Sequence, residues 1–149
     1  TAARAINDGM PIHMSDLCEE ALRQAGRQIY GSTVTVLGAA YLENSDDTRN
    51  SPALRMIREL DVLGVTAVVH DPYVRELDGL VPLKDLEEAL KGSDCIAIVT
   101  AHDQYKKLDL DRVKGLMRTP IIVDGRHLFN REDCIAKGFI FRGIGQRPG

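Results

Sequence analysis

Five short apolar runs recur along the chain: "VTVLGAA" (34–40), "TAVVHD" (66–71), "CIAIVTA" (95–101), "PIIVDG" (120–125) and "FIFRGIG" (139–145). Each is continuous rather than alternating, the pattern of a strand covered on both faces. Helical segments alternate with them. Ser51-Pro52 marks a helix start, serine as N-cap and proline at the first helical position, and Ala53, Met56, Ile57, Leu60 and Leu63 then share a face until Gly64. A short helix is expected from about Leu83 to Lys91, and another around Leu110, Val113, Leu116 and Met117. Before the first strand, Met14, Leu17, Cys18, Ala21, Leu22 and Ala25 recur at helical spacing, so residues 11 to about 28 read as an amphipathic helix begun by Pro11. The β-α-β alternation, with right-handed crossovers, predicts an α/β fold: a Rossmann-like doubly wound parallel sheet with flanking helices, preceded by an N-terminal helix.

A chain of 149 residues with 44% hydrophobic content holds one domain with a sizeable core. Its 19 basic and 22 acidic residues are mixed along the length, for a net charge of -3, which leaves no footprint for nucleic acid. The longest apolar runs fall far short of a membrane span, and a soluble cytoplasmic protein is expected. Cys18, Cys95 and Cys134 are widely separated and lack CxxC spacing, and the four histidines lack i, i+4 pairing. Reduced, mostly buried thiols and no metal are expected. Because the chain opens at Thr1 inside "TAARAIND", it reads as a piece of something longer or as a chain that has lost its initiator.

In an open parallel sheet ligands bind beyond the carboxyl ends of the strands, near the reversal of strand order. That rule selects the loop after Ala40, Asp71 to Tyr73, Thr100 to Tyr105, and Asp124 to His127. A dinucleotide fingerprint needs several glycines after the first strand, and only Gly38 is there. Asp71 ends the second strand, but with Pro72 beside it a turn-forming role is the stronger reading. Asp46 and Asp47 could bind a metal or act as acid and base, against a solvated turn. Arg49, just before the helix at Pro52, could clamp phosphate oxygens or pair with Asp46 or Asp47. Arg126 at a strand end could hold a phosphate or sugar, or a surface carboxylate. His102 and Asp103 suggest a general base, yet no nucleophile accompanies them, so His102 is read as positional or structural.

In order, "VTVLGAAYLENSDDTRNSPALRMIREL", "VVHDPYV", "SDCIAIVTAHDQY" and "IIVDGRHLF" resemble the C-terminal domain of the UDP-glucose/GDP-mannose dehydrogenase family, and "ARAINDGMPIHM" resembles the end of its central helical domain. The resemblance covers almost the whole chain and divides it into 1–31, the end of the central helical dimerisation domain, and 32–149, the nucleotide-sugar (UDP) binding domain. Members oxidise the C6 hydroxyl of a nucleotide sugar to a carboxylate in two steps, with two NAD+ and a thioester on a catalytic cysteine. Neither the family's NAD fingerprint nor its catalytic-cysteine motif is present, so the resemblance gives this chain no catalytic residue. It implies NAD held mainly by another domain, a UDP-sugar substrate, the remaining domains as partners, and a homo-oligomer at full length.

Residue by residue, Arg49 matches the arginine of "DxRxSP" that reaches NAD, Arg126 the arginine of "DGR" that contacts substrate, and Tyr41 the aromatic position of the sugar-nucleotide site. Leu42 stands where the family usually has lysine, so a positive substrate contact has become neutral. "TAHDQY" and "NDGMPIHM" look like the branch acting on UDP-N-acetylhexosamines, such as UDP-N-acetylmannosamine, in polysaccharide biosynthesis. Two other readings compete: a non-catalytic nucleotide-binding or regulatory module, motivated by Leu42, and an assembly element in which the N-terminal helix pairs subunits rather than packing on its own sheet.

Overall fold

The computed structural model describes residues 2–40, 43–48 and 51–144, with side chains from residue 10 onward. Five strands, β1 (Thr33–Leu37), β2 (Thr66–His70), β3 (Cys95–Ile98), β4 (Ile121–Asp124) and β5 (Ile140–Gly143), form one sheet. All pairings are parallel and the order is β2-β1-β3-β4-β5. Each strand coincides with one of the five apolar runs, β1 beginning one residue earlier, at Thr33. The order reverses between β1 and β3, so the loops after these two strands flank the crevice where such sheets bind ligands.

Strand periodicity divides the core in two. Val34, Val36, Cys95, Ala97, Ile121 and Val123 point to one face and meet Met14, Cys18, Ala21 and Leu22 of α1 (Ala2–Gln24) and Ala53, Met56 and Leu60 of α2 (Pro52–Val62). Their neighbours in sequence, Leu37, Ile96, Ile98 and Ile122, point to the other face. There they pack with Leu90 of α3 (Leu86–Leu90), Tyr105 of α4 (Asp103–Lys106), Val113 of α5 (Leu110–Leu116) and Cys134 of α6 (Arg131–Ala136). The N-terminal helix therefore packs on its own sheet, through side chains that are wholly buried.

Four local details differ from the sequence expectation. Helix α1 begins at Ala2 and carries Pro11 inside it rather than at its first turn. A proline there removes one backbone donor, while the burial of Met14, Cys18, Ala21 and Leu22 holds the following turns. The helix stops at Gln24, short of residue 28, because Gly26 turns left-handed (φ +76°) and the Gly26 and Arg27 amides close back on the Arg23 and Leu22 carbonyls. Helix α3 starts at Leu86, since the Asp85 side chain caps it by accepting from the Glu88 amide, while Leu83 bonds in extended form to Val69 and Asp71 beside β2. Helix α6 supplies the β4–β5 crossover and is capped by Asn130, whose side chain accepts from the Asp133 amide.

The three cysteines are buried and free, with the sulfurs of Cys18 and Cys95 3.7 Å apart. Among the described residues no helix is long and apolar enough to cross a membrane.

Candidate functional site

At the carboxyl edge of the sheet the chain after β1 must turn sharply beside the end of β3. Gly38 makes this possible: its φ is +102°, and a Cβ there would lie 2.4 Å from the Thr100 Cβ. Thr100 in turn donates its hydroxyl to the Ala40 carbonyl at 2.7 Å. Ser51 occupies the N-cap position of α2, but its hydroxyl does not cap the helix; it donates to the Ala39 carbonyl at 2.7 Å. The two loops at the crevice are thereby tied to each other and to α2.

Asp71 organises the same edge from the end of β2. Its side chain is fully buried and accepts five hydrogen bonds. One oxygen takes the amides of Tyr73 (2.7 Å) and Val74 (2.9 Å), the turn expected before Pro72. The other takes the amides of Ala39 (2.7 Å) and Ala40 (3.3 Å) and the Nε2 of His102 (2.8 Å). Burial pushes the Asp71 carboxyl up, but the bonds from His102 and from the Ala39, Val74 and Tyr73 amides outweigh it and bring the pKa down to about 2.

His102 is also buried and has two distinct partners. Its Nδ1 accepts from the Asn44 amide at 2.8 Å, so the ring proton sits on Nε2 and points at Asp71. The Asn44 side-chain oxygen accepts from the Asp103 amide (3.0 Å) and from the Tyr73 hydroxyl (3.4 Å). The Tyr73 ring lies against the imidazole with centroids 4.9 Å apart and is partly exposed to solvent. Asn44 itself is left-handed (φ +54°), a conformation asparagine tolerates. Behind His102, Tyr105 bonds to both the Nδ1 and the carbonyl of His70. Burial lowers the His70 pKa, and burial pushes the Tyr105 phenol well up. The two ring nitrogens of His102 are both taken up by hydrogen bonds within the fold, in keeping with its reading as positional or structural.

Across the crevice, Asp124 ends β4 fully buried and ties off the next loop, one oxygen accepting from the Arg126 amide (2.9 Å) and the other from Phe129 (2.8 Å). Gly125 allows close packing here, since a Cβ would meet the Met14 sulfur at 2.5 Å. Arg126 is exposed, and among the described residues no hydrogen bond or ion pair holds its guanidinium. Asp46 is exposed in the β1–α2 loop, where the Asp47 amide donates to the Ser45 hydroxyl, a turn bond. Tyr41, Leu42 and Arg49 lie outside the described residues. The partnership of Asp71 with the β1 loop, 31 residues away, and that of His102 with Asn44 have no local sequence signal.

The same geometry tests the fit of a dinucleotide to this sheet. In a glycine-loop cradle the amides after the first strand face a pyrophosphate. Here the Ala39 and Ala40 amides already face the Asp71 carboxylate, and the space beside Gly38 is filled by Thr100. These residues do not fit NAD in that manner.

The model of the UDP-glucose/GDP-mannose dehydrogenase family UDP binding domain matches residues 35–131. The chain belongs to this family. A UDP-N-acetyl-D-mannosamine dehydrogenase of Pyrococcus horikoshii is 38% identical over 144 residues, covering 97% of this chain and 32% of its own length. A UDP-glucose 6-dehydrogenase of Rhizobium meliloti is 32% identical over 147 residues, covering 95% of this chain and 33% of its own. The solved structure of an NDP-N-acetyl-D-galactosaminuronic acid dehydrogenase from Methanosarcina mazei Go1 superposes with a TM-score of 0.93 at 36% identity, covering 99% of this chain and 31% of that one. The chain thus spans about a third of the length of the dehydrogenases it matches. In this family domain the described residues of the crevice edge are Gly38 to Ala40, Glu43 and Asn44, Asp71 to Tyr73, Thr100 to Asp103 and Asp124 to Arg126.

Proposed function

We propose that this chain is the sugar-nucleotide-gripping part of an NAD-dependent UDP-sugar 6-dehydrogenase that makes uronic acids for polysaccharide. The match of the UDP binding domain model over 35–131 carries the reading. The proposed substrate is a UDP-N-acetylhexosamine, in keeping with the relative named a UDP-N-acetyl-D-mannosamine dehydrogenase. NAD belongs on another domain, a division supported by the occupied amides of Ala39 and Ala40.

Arg126 is proposed to take a phosphate or sugar oxygen, a role supported by its backbone being held by Asp124 while its guanidinium is exposed, with no hydrogen bond or ion pair holding it among the described residues. Tyr41 and Leu42 are proposed to line the sugar-nucleotide site, and Arg49 to reach toward NAD. Residues 1–31 are proposed to continue the central helical domain of the whole enzyme, which assembles as a homo-oligomer. Calorimetric titration of the chain with UDP, a UDP-N-acetylhexosamine and NAD tests this. Binding of the two uridine nucleotides without NAD is expected; binding of NAD alone would point instead to a degenerate dinucleotide module.

A further inference from the structure

The loop after β1 is held at two points by one buried pair. Its near end, the amides of Ala39 and Ala40, rests on Asp71, and its far end, the amide of Asn44, rests on His102, which itself donates to Asp71. Between the two points the sequence is Tyr41-Leu42-Glu43.

Both members of the pair are completely buried, and neither is placed to touch a ligand itself. The two ring nitrogens of His102 do different work. Nε2 satisfies a carboxylate inside the fold, whereas Nδ1 reaches outward to a loop amide 58 residues earlier in the chain. The imidazole spans both partners from this position, one nitrogen donating while the other accepts.

We propose that Asp71 and His102 are positioning residues for the sugar nucleotide, fixing the amides of Ala39, Ala40 and Asn44 at the edge by which this domain grips its substrate. This rests on the reading of the domain as a sugar-nucleotide binder. The Asp71 contact stabilises the fold as a whole, while the His102–Asn44 contact sets the loop. Loss of one orienting hydrogen bond lowers affinity by about tenfold.

The two contacts separate by substitution. His102→Gln retains a donor near Nε2 for Asp71 and loses the acceptor for Asn44; His102→Asn retains an acceptor near Nδ1 for Asn44 and loses the donor to Asp71. UDP affinity by calorimetry, melting temperature, and hydrogen exchange at the Asn44 amide are measured for the wild-type chain and both variants. The expected result is that His102→Gln melts close to wild type, exchanges faster at Asn44 and binds UDP about tenfold more weakly, while His102→Asn melts lower but keeps most of its affinity. Unchanged affinity in His102→Gln, or affinity that falls in step with melting temperature in both variants, overturns the positioning role. A wild-type chain that binds no UDP overturns the reading of the domain, and this one with it.

Discussion

Replacing Asp71 with asparagine keeps the shape of the side chain and removes one acceptor. Asp71 accepts five hydrogen bonds through two oxygens. An amide has one acceptor oxygen, so its NH2 group must face either the Tyr73 and Val74 amides or the Ala39, Ala40 and His102 donors. At least two donors lose their partner, each at a cost of roughly 1–3 kcal/mol, which sets the expected loss near about 3 kcal/mol at pH 7. With a urea slope of roughly 2 kcal/mol/M, the midpoint should fall by about 1.5 M.

The pH dependence gives a second check on the same residue. The folded pKa of about 2 lies below the unfolded value of 3.8, so the stabilisation from the Asp71 charge is complete above 3.8 and disappears as pH falls through 2. Nearly two pKa units correspond to about 2.5 kcal/mol. The gap between wild type and Asp71→Asn should therefore be largest at neutral pH and shrink between pH 4 and pH 2. A gap below about 0.5 kcal/mol at pH 7, or one that is the same at pH 7 and pH 2, refutes the reasoning.

Gly38→Ala places a Cβ 2.4 Å from Thr100 at φ +102°, and an expected cost of roughly 3 kcal/mol lowers the melting temperature by about 10 °C; a melting curve like that of wild type contradicts the close approach of the two loops. Burial lowers the His70 pKa below its ordinary 6.5, so stability from neutral His70 is complete above 6.5 and is lost as pH falls below it. Wild type should accordingly lose melting temperature more steeply than His70→Gln from pH 7 to pH 5, and equal slopes count against this. Burial raises the Cys95 thiol well above its usual range and the Cys134 thiol to about 11. Iodoacetamide at pH 8 should thus modify the native cysteines slowly and all three quickly in urea, as read by mass spectrometry.

The inner strands β1, β3 and β4 were legible because they are buried on both faces, which forces a continuous apolar run such as "CIAIVTA", while the edge strands β2 and β5 are only part-buried and were legible from shorter apolar runs. Helix α2 was legible from Ser51-Pro52, although the serine hydroxyl serves Ala39 rather than the helix end. Helix α6 escaped notice because six residues with only Cys134 buried show no periodicity; its signal was Asn130 three residues before Asp133. Asp71 was read as a turn residue, and one of its oxygens does that work. Its other oxygen serves Ala39, Ala40 and His102, contacts made by β2 lying beside β1 and by the reversal of strand order, which no local pattern encodes. Arg126 and the exclusion of a glycine-loop dinucleotide came from motif and glycine count; the device that fills the place of the pyrophosphate came only from the fold.

The central claim, that the carboxyl edge of this sheet grips a uridine nucleotide, is tested most directly by titrating UDP into the isotope-labelled chain and following backbone amide resonances. Saturable shifts are predicted at Gly38 to Asn44 and at Gly125 to His127, with little change at Asp94, Arg118 and Thr119, which form an ion-pair and hydrogen-bond cluster beside the starts of β3 and β4. Shifts centred on that opposite edge, or none at all, would contradict it.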